Sequence, residues 1–268
     1  MKKKNWYLIF GGLLTAAMLA FITVGFFWTP YVPSAVSGAD KYAKPSAAHL
    51  FGCDQMGRDI FSRTLEGAGS TLTIALAVLA VGAVCGLVIG ALCGYYGGPV
   101  DALVMRLCDA VAAFPSVLLA LVVIAVIGRG KYNVIAALGV LFIPSFARLV
   151  RGEYLKYRDR DFVRAARLMG VSGPRIIFVH ILPNIWPVLL SGLTIGFNNA
   201  VLAEASMSYL GIGVNPTEPS IGYMLSNAQG YLFTAPWYTA FPAAVIILLI
   251  LGVGLLGEGI REQMGVAS

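Results

Sequence analysis

The sequence predicts an all-α integral membrane protein with about six transmembrane helices. Of its 268 residues, 58% are hydrophobic and 12% are charged, and the mean hydropathy is +0.80, whereas a soluble domain carries about 25% charged residues. The apolar runs are continuous rather than alternating, and about 20 apolar residues in a helix cross roughly 30 Å of hydrocarbon. The spans are therefore expected to be helices and not the strands of a barrel.

Six apolar segments are long enough to cross a membrane. We expect spans near Trp6–Trp28, Ser70–Tyr95, Leu103–Ile127, Asn133–Val150, Ile185–Glu204 and Trp237–Leu256. No charged residue lies between Lys4 and Asp40, so the first span exceeds the core of a signal peptide, about 7–15 residues, and is interpreted as an uncleaved anchor. Pro115 and Pro144 interrupt the third and fourth spans and are expected to kink them.

The basic residues predict the orientation. If the N terminus is cytoplasmic, thirteen of the 19 Lys and Arg residues fall on the cytoplasmic side, as the positive-inside rule requires. Six crossings then return the C terminus to the same side. The net charge of +6 reflects this topology and not binding to nucleic acid. We expect residues 1–69 to form an anchor helix and an extracytoplasmic loop, and residues 70–268 to form the transmembrane core, with a cytoplasmic loop at about 153–184.

The spans contain few groups that drive chemistry or transport. Asp101, Arg106 and Asp109 lie near the cytoplasmic start of the third span and are expected to pair with one another, and Glu204 lies at the outer end of the fifth. Ionisable residues inside a membrane are costly and mark ion pathways, and no G-x-x-x-x-G-K-[ST] loop is present to hold a nucleotide. An ion-coupled secondary carrier, a membrane-embedded enzyme and a channel are therefore disfavoured, and we predict no catalytic residues and no cofactor bound by this chain.

The polar stretch Asp161–Asn184 is the candidate site for an external source of energy. As a helix it places apolar and small residues on one face and basic residues on another. The first set is Phe162, Ala165, Ala166 and Met169, and the second is Arg160, Arg164 and Arg167. The alternative interpretation is a cationic amphipathic loop that rests on anionic lipid.

Local signals predict a helix-turn-helix in this stretch. Gly170 suits the left-handed residue that ends a helix, Ser172 can cap the next helix, and Pro174 fits its first turn. Leu182 precedes Pro183 and is therefore expected to be extended, turning the chain back to the membrane.

Two further groups of polar residues are candidate sites. Asp54, Arg58 and Asp59 are expected to form an ion-pair cluster that stiffens the outer loop, with contact to another protein as the alternative. Polar side chains in lipid should face a bundle interior or a cavity, which makes the polar residues of the fifth span candidates for a substrate path, with hydrogen bonding between helices as the alternative. They are Asn198, Asn199, Glu204 and Ser206. The four cysteines are interpreted as small core residues, and no metal site is predicted.

Several motifs, in order along nearly the whole chain, resemble those of permease subunits of binding-protein-dependent ATP-binding-cassette (ABC) importers. The cytoplasmic loop carries "AARLMG" followed by "ILPN", which is similar to the loop signature of that family. Five further stretches resemble one branch of that family, the dipeptide, oligopeptide and nickel permeases. They are "FGCDQMGRDIFSR" (51–63), "GYYGGPVDALVMRLCDAVAAFPSVLLAL" (94–121), "EASMSYLGIGV" (204–214), "APWYTAFPA" (235–243) and "LLGEGIRE" (255–262).

The resemblance implies a function and a set of partners. The loop would be a coupling helix that docks on a separate ATPase, with Ala165, Ala166 and Gly170 at the signature's small positions and Arg164 where the family usually has Glu. Two ATPase subunits that bind ATP and Mg, an extracytoplasmic binding protein and a second, related permease would complete a heterodimeric importer in the cell membrane of a prokaryote. Di- or oligopeptides are the expected cargo, with nickel or a metal chelate as the alternative.

Overall fold

The computed structural model describes residues 5–215 and 218–264, and the named secondary-structure elements of these residues are all helical. The α-helices are α1 Trp6–Phe27, α2 Ile60–Tyr96, α3 Gly98–Ala112, α4 Ser116–Ile127, α5 Lys131–Tyr157, α6 Asp161–Leu168, α7 Gly173–Arg175, α8 Leu182–Tyr209, α9 Ile221–Ala228 and α10 Pro236–Gln263. A π-helical segment, Ile176–Ile181, joins α7 to α8, and short 3-10 turns lie at Gly38–Asp40 and Gln229–Tyr231.

The prediction of about six spans is confirmed, and the third span consists of two helices. Within the described residues, α1, α2, α5, α10 and the continuous helix Gly173–Tyr209 are long and apolar enough to cross a membrane. Helices α3 and α4 together make a sixth candidate span but are bent by 89° at their junction. The kink expected in the third span at Pro115 is therefore confirmed, as a sharp bend between two helices. Pro115 is the cause, because its ring disfavours helical geometry at Phe114 and it has no N–H to continue the helix.

Helices α2 and α5 pack closely through a stripe of glycines on α2. Gly82, Gly86, Gly90 and Gly94 recur every fourth residue and are buried. A Cβ atom built on Gly82 would lie 2.6 Å from the Cβ of Phe142, and one built on Gly94 would lie 2.6 Å from the Cβ of Tyr154. Small residues at such spacing allow two backbones to approach within the bilayer, where dispersion contacts replace the hydrophobic effect as the driving force. The expected boundary after residue 69 lies inside α2.

Ion pairs connect α3 to α5. Arg151 donates through Nε and Nη2 to both carboxylate oxygens of Asp101, at 2.5 and 2.6 Å. Arg148 pairs with Asp109 at 3.2 Å. The expected mutual pairing of Asp101, Arg106 and Asp109 within one helix is therefore wrong, because α5 presents its arginines directly to the carboxylates of α3.

The first and last helices meet at the same end of the bundle. The side-chain amide of Asn5 donates to the Gly259 carbonyl oxygen at 2.6 Å, and the backbone of α1 at Gly11 touches that of α10 at Leu255 and Leu256. The start of α1 and the end of α10 therefore lie on one side of the bundle, as an even number of crossings requires.

Candidate functional site

The loop between α5 and α8 folds as the local signals predict at its centre. Helix α6 ends at Leu168, and Gly170 takes the left-handed conformation with φ of 77°. The N–H groups of Gly170 and Val171 donate to the carbonyl oxygens of Arg167 and Ala166, at 3.0 and 3.1 Å, which satisfies the end of the helix. Pro174 lies in the first turn of α7, as predicted, whereas Ser172 precedes α7 without a side-chain capping bond.

The apolar face predicted for α6 is divided in the structure. Val163 and Ala166 are buried in a cluster with Tyr154, Ile176 and Ile177. The predicted face is split, because Ala166 points inward while Phe162, Ala165 and Met169 are exposed. The hydrophobic pattern allowed both faces, and packing against the π-helical segment decides between them.

The exposed residues of α6 and its end form an apolar surface, which we name the α6 tip. Leu168 is 89% exposed and Met169 is 76% exposed. The tip consists of Phe162, Ala165, Leu168 and Met169. Arg160 and Arg164 flank it, and both are exposed. An apolar patch with a basic rim is typical of a protein-docking surface.

Two contacts join this loop to the membrane helices. Arg167 stacks over the ring of Tyr95, with its guanidinium carbon 4.9 Å from the ring centroid, and its Nε lies 3.3 Å from the Tyr95 hydroxyl. The buried Tyr154 hydroxyl donates to the Ile177 carbonyl oxygen at 3.0 Å. Arg167 therefore ties α6 to the end of α2, and Tyr154 ties the end of α5 to the π-helical segment that precedes α8.

The expected extended conformation at Leu182 is wrong. Leu182 is helical, with φ of −51° and ψ of −44°, and its N–H donates to the Ile177 carbonyl oxygen, five residues earlier. This π-helical turn directly precedes Pro183, and its wider backbone accommodates a proline that would clash within a regular helix. The chain therefore enters the membrane as one continuous helix.

A groove of 680 Å³ lies between α4, α5 and α8. Two of the predicted substrate-path residues, Asn199 and Ser206, line it. Three serines in the same lining were not predicted from the sequence, namely Ser116, Ser145 and Ser191. The detectable signal was the spacing of Ser191, Asn199 and Ser206, which places three polar groups on one face of a helix. A neighbouring cavity of 260 Å³ shares Ser116 and Ser145 with the groove and reaches Arg148.

The other two predicted substrate-path residues lie outside the groove. Glu204 is fully buried, and its Oε1 accepts a hydrogen bond from the Ser208 hydroxyl at 2.7 Å. The Asn198 amide lies against α10, 3.3 Å from where a Cβ on Gly254 would be. The structure therefore separates Asn199 and Ser206 from Glu204 and Asn198, because neighbouring positions on a helix point in different directions.

The outer-loop residues form two separate networks instead of one cluster. Buried Asp54 accepts hydrogen bonds from the Met56 and Arg58 N–H groups and pairs with the Arg58 Nε at 2.7 Å. Asp59 caps α2 through the Ser62 N–H at 2.7 Å and contacts His49 Nδ1 at 2.9 Å. Both carboxylates thus fix the loop, while Met56 at its turn is 45% exposed.

The cysteines agree in part with their interpretation as core residues. Cys53, Cys93 and Cys108 are buried, whereas Cys85 is exposed, so the prediction was wrong for Cys85. Burial, with smaller contributions from Asp59, Asp40 and Asp54, raises the pKa of the Cys53 thiol to about 11. The thiol in the outer loop is therefore protonated and unreactive at neutral pH.

Residues 86–263 match the family described as "Binding-protein-dependent transport system inner membrane component". The chain belongs to this family. It is 44% identical over 220 residues to the glutathione transport system permease protein GsiD of Escherichia coli O6:K15:H31, covering 82% of this chain and 73% of that protein. It is 35% identical over 266 residues to the dipeptide transport system permease protein DppC of Alkalihalophilus pseudofirmus, covering 98% of this chain and 86% of the relative.

The fold is also that of a solved permease. A structure of the MetNI methionine ABC transporter, in an inward-facing conformation, matches 75% of this chain and 95% of its own chain with a TM-score of 0.63 at 21% identity. As a member of the family named above, the chain is an integral inner-membrane transport component and not an enzyme. Membership of this family implies that the chain works together with ATPase and binding-protein subunits.

Proposed function

We propose that this permease forms one half of a translocation path for di- and oligopeptides, delivered from the outer side by a binding protein. The lining of the groove carries this proposal. Every residue that lines it is uncharged, and hydroxyl and amide groups alternate with the aromatic rings of Phe142 and Phe146. Such a surface offers hydrogen bonds to a peptide backbone while it holds no side chain tightly. The relatives GsiD and DppC are named for transport of glutathione and of dipeptides. Both kinds of compound contain peptide groups that can form such hydrogen bonds.

A second, related permease closes the open side of the groove. Ile195 and Leu202 border the groove and are 60% and 49% exposed. These apolar side chains suit contact with a partner helix inside the bilayer. A heterodimer of two such chains over two ATPases encloses the path between them.

The α6 tip is the docking element for the ATPase. ATP and Mg bind to that subunit, and its closure displaces α6. The Arg167–Tyr95 and Tyr154–Ile177 contacts carry the displacement into α2 and α8. Helix α8 contributes Ser191, Asn199 and Ser206 to the groove, so a movement at the cytoplasmic end reaches the path directly.

Both termini and the α6 tip lie on the cytoplasmic side, and the outer loop faces the binding protein. The positive charge of the loop and the joined ends of α1 and α10 support this orientation. The contact with the binding protein depends on Asp54, Arg58 and Asp59, because these residues hold the turn at which Met56 is exposed.

Reconstituted transport tests the proposal. The chain is purified with its co-purifying permease, ATPase and binding protein and placed in liposomes. The expected result is accumulation of a labelled dipeptide that requires both ATP and the binding protein. Accumulation driven by an ion gradient without ATP would contradict the mechanism, and ATP-dependent uptake of Ni²⁺ in place of peptide would contradict the cargo.

A further inference from the structure

A separate cavity of 430 Å³ lies at the outer end of the bundle, away from the groove and the α6 tip. It is bordered by the end of α1, the first third of α2 and the start of α5, at Gly25–Thr29, Pro33, Leu65, Glu66, Gly69, Ser70, Thr73 and Lys131. Its volume is in the range of small-ligand sites, roughly 300–1,000 Å³. Neither the coupling loop nor the groove uses these residues.

The cavity presents one negative and one positive side chain. Glu66 and Lys131 both line it, and neither side chain forms a hydrogen bond or ion pair with another residue that the structure describes. Arg63 and Glu218 act on Glu66 electrostatically, with opposite signs. Ser70 adds a hydroxyl group to the lining. The cavity therefore suits a ligand that carries both a cationic and an anionic group.

The surroundings place the cavity at the level of lipid headgroups. Phe27 and Trp28, at the end of α1, are 86% and 58% exposed, and aromatic side chains of this kind concentrate where the membrane meets water. Leu19 and Val24, which precede them on α1, are also exposed, and they provide an apolar surface for acyl chains. A lipid bound here places its headgroup in the cavity and its tails along α1.

We propose that this cavity binds the headgroup of phosphatidylethanolamine from the outer leaflet. The Lys131 ammonium and the Ser70 hydroxyl bind the phosphate, and the Glu66 carboxylate accepts hydrogen bonds from the lipid's primary ammonium. Phosphatidylcholine lacks those ammonium hydrogens, and phosphatidylglycerol lacks the cation. This site is independent of the cargo and of the ATPase coupling.

Lipid retention by the purified importer tests the site. The full-length chain with its co-purifying subunits is placed in nanodiscs with equal amounts of phosphatidylethanolamine, phosphatidylcholine and phosphatidylglycerol, then extracted in mild detergent, and the retained lipids are quantified by mass spectrometry. Wild type is expected to retain phosphatidylethanolamine in excess of the other two. Glu66→Gln is expected to lower the ratio of phosphatidylethanolamine to phosphatidylglycerol by up to about fivefold, and Lys131→Gln to lower retention of all three by a similar factor.

Lys44→Gln is the matched control, because Lys44 is an exposed outer-loop lysine outside the cavity, and it should retain lipid as wild type does. An unchanged lipid ratio in Glu66→Gln, or an equal loss in Lys44→Gln, overturns the proposal. So does a variant that loses stimulation by the binding protein while its lipid retention is unchanged, since the cavity would then be a protein contact. A second experiment uses only the wild-type importer and compares its retention of lipids with ethanolamine, monomethylethanolamine and choline headgroups. Equal retention of all three also overturns the proposal.

Discussion

Glu204 is a carboxyl group enclosed in a membrane-spanning helix, and its hydrogen bond to Ser208 gives it a structural role at the outer end of α8. Its second oxygen is buried without a hydrogen-bond partner among the described residues. We expect Glu204→Gln to keep folding and uptake, because an amide oxygen still accepts from Ser208. Glu204→Ala should lower the free energy of unfolding by about 1–3 kcal/mol, since it opens a cavity and leaves a buried hydroxyl unpaired. Thermal melting of the purified complex measures the difference.

Ser206→Ala is the control for Glu204, because the Ser206 hydroxyl donates to the Leu202 carbonyl oxygen of its own helix and the residue is only partly buried. Its stability should change by less than about 0.5 kcal/mol. Loss of uptake in Glu204→Gln with an unchanged melting temperature would show instead that transport needs the carboxylate itself.

Cys53 provides a test of the outer-loop structure by pH. Its thiol is buried, and its pKa is raised to about 11, so the reactive thiolate is scarce at pH 7 and increases as the pH rises toward that value. A membrane-impermeant maleimide should label Cys53 slowly from outside at neutral pH. A cysteine introduced at the exposed Met56 in a Cys53→Ser background should be labelled rapidly. Equally rapid labelling of both would mean that the loop is open.

At the residue scale, the sequence predicted the features that depend on nearest neighbours. Gly170 and Pro174 took their expected conformations, because a helix end and a first turn are decided within a few residues. The partner of Asp101 was missed, since Arg151 lies 50 positions away and meets it only when α3 packs on α5. The assignment of Asn199 and not Asn198 to the groove likewise requires the rotation of α8 in the assembled bundle.

At the element scale, α6 is a helix with one buried and one exposed apolar face. Because the α6 tip projects away from the core, Met169→Asp and Leu168→Asp should leave the permease folded and lower binding-protein-stimulated ATP hydrolysis by about tenfold or more, as for a central docking residue. Val163→Asp is the contrasting variant. It places a charge in the buried cluster beneath α6 and should reduce the yield of assembled complex. Unchanged ATP hydrolysis in both tip variants would exclude the tip as the coupling contact.

Arg164 adds a positive charge beside the docking surface. It is exposed beside the α6 tip, and we expect a carboxylate opposite it on the ATPase. Arg164→Glu should lower stimulated ATP hydrolysis by about fivefold, with a larger loss at low salt because the repulsion is then less screened. Reversing the facing carboxylate to Lys should restore the rate. If Arg164→Glu with an unmodified ATPase hydrolyses ATP as fast as wild type, or faster, the facing carboxylate does not exist.

The elements themselves were predictable to different degrees. Apolar length and continuity identified the spans, since each helix must satisfy its own backbone and match the bilayer thickness. A kink at Pro115 was predicted, but its angle of 89° and the π-helical turn before Pro183 were not. Both lie next to a proline, which the sequence displays, but whether a proline ends a helix or is absorbed by a wider turn depends on the helices packed around it.

At the scale of the whole molecule, the lipid-facing and partner-facing surfaces must differ. Helix α1 packs on α10 and α2 and exposes Leu13 at 66%, whereas α8 exposes Ile195 beside the groove at 60%. Both side chains are apolar, so exposure alone does not distinguish them. The hydroxyl and amide groups of the groove do, because polar groups at membrane depth are stable against a protein or a water-filled path and not against acyl chains.

The resulting arrangement predicts which face meets the second permease. In a Cys85→Ala background, Ile195→Cys should crosslink to a cysteine on the partner permease in native membranes, whereas Leu13→Cys should not. If the ATPase moves the loop as proposed, trapping it in its closed state should change the yield at Ile195, because Ile195 lies on the helix Gly173–Tyr209, which continues directly from that loop. Crosslinking at Leu13 without crosslinking at Ile195 would place the partner against α1, and the groove would then face lipid, where its row of hydroxyl groups has no physical reason to be.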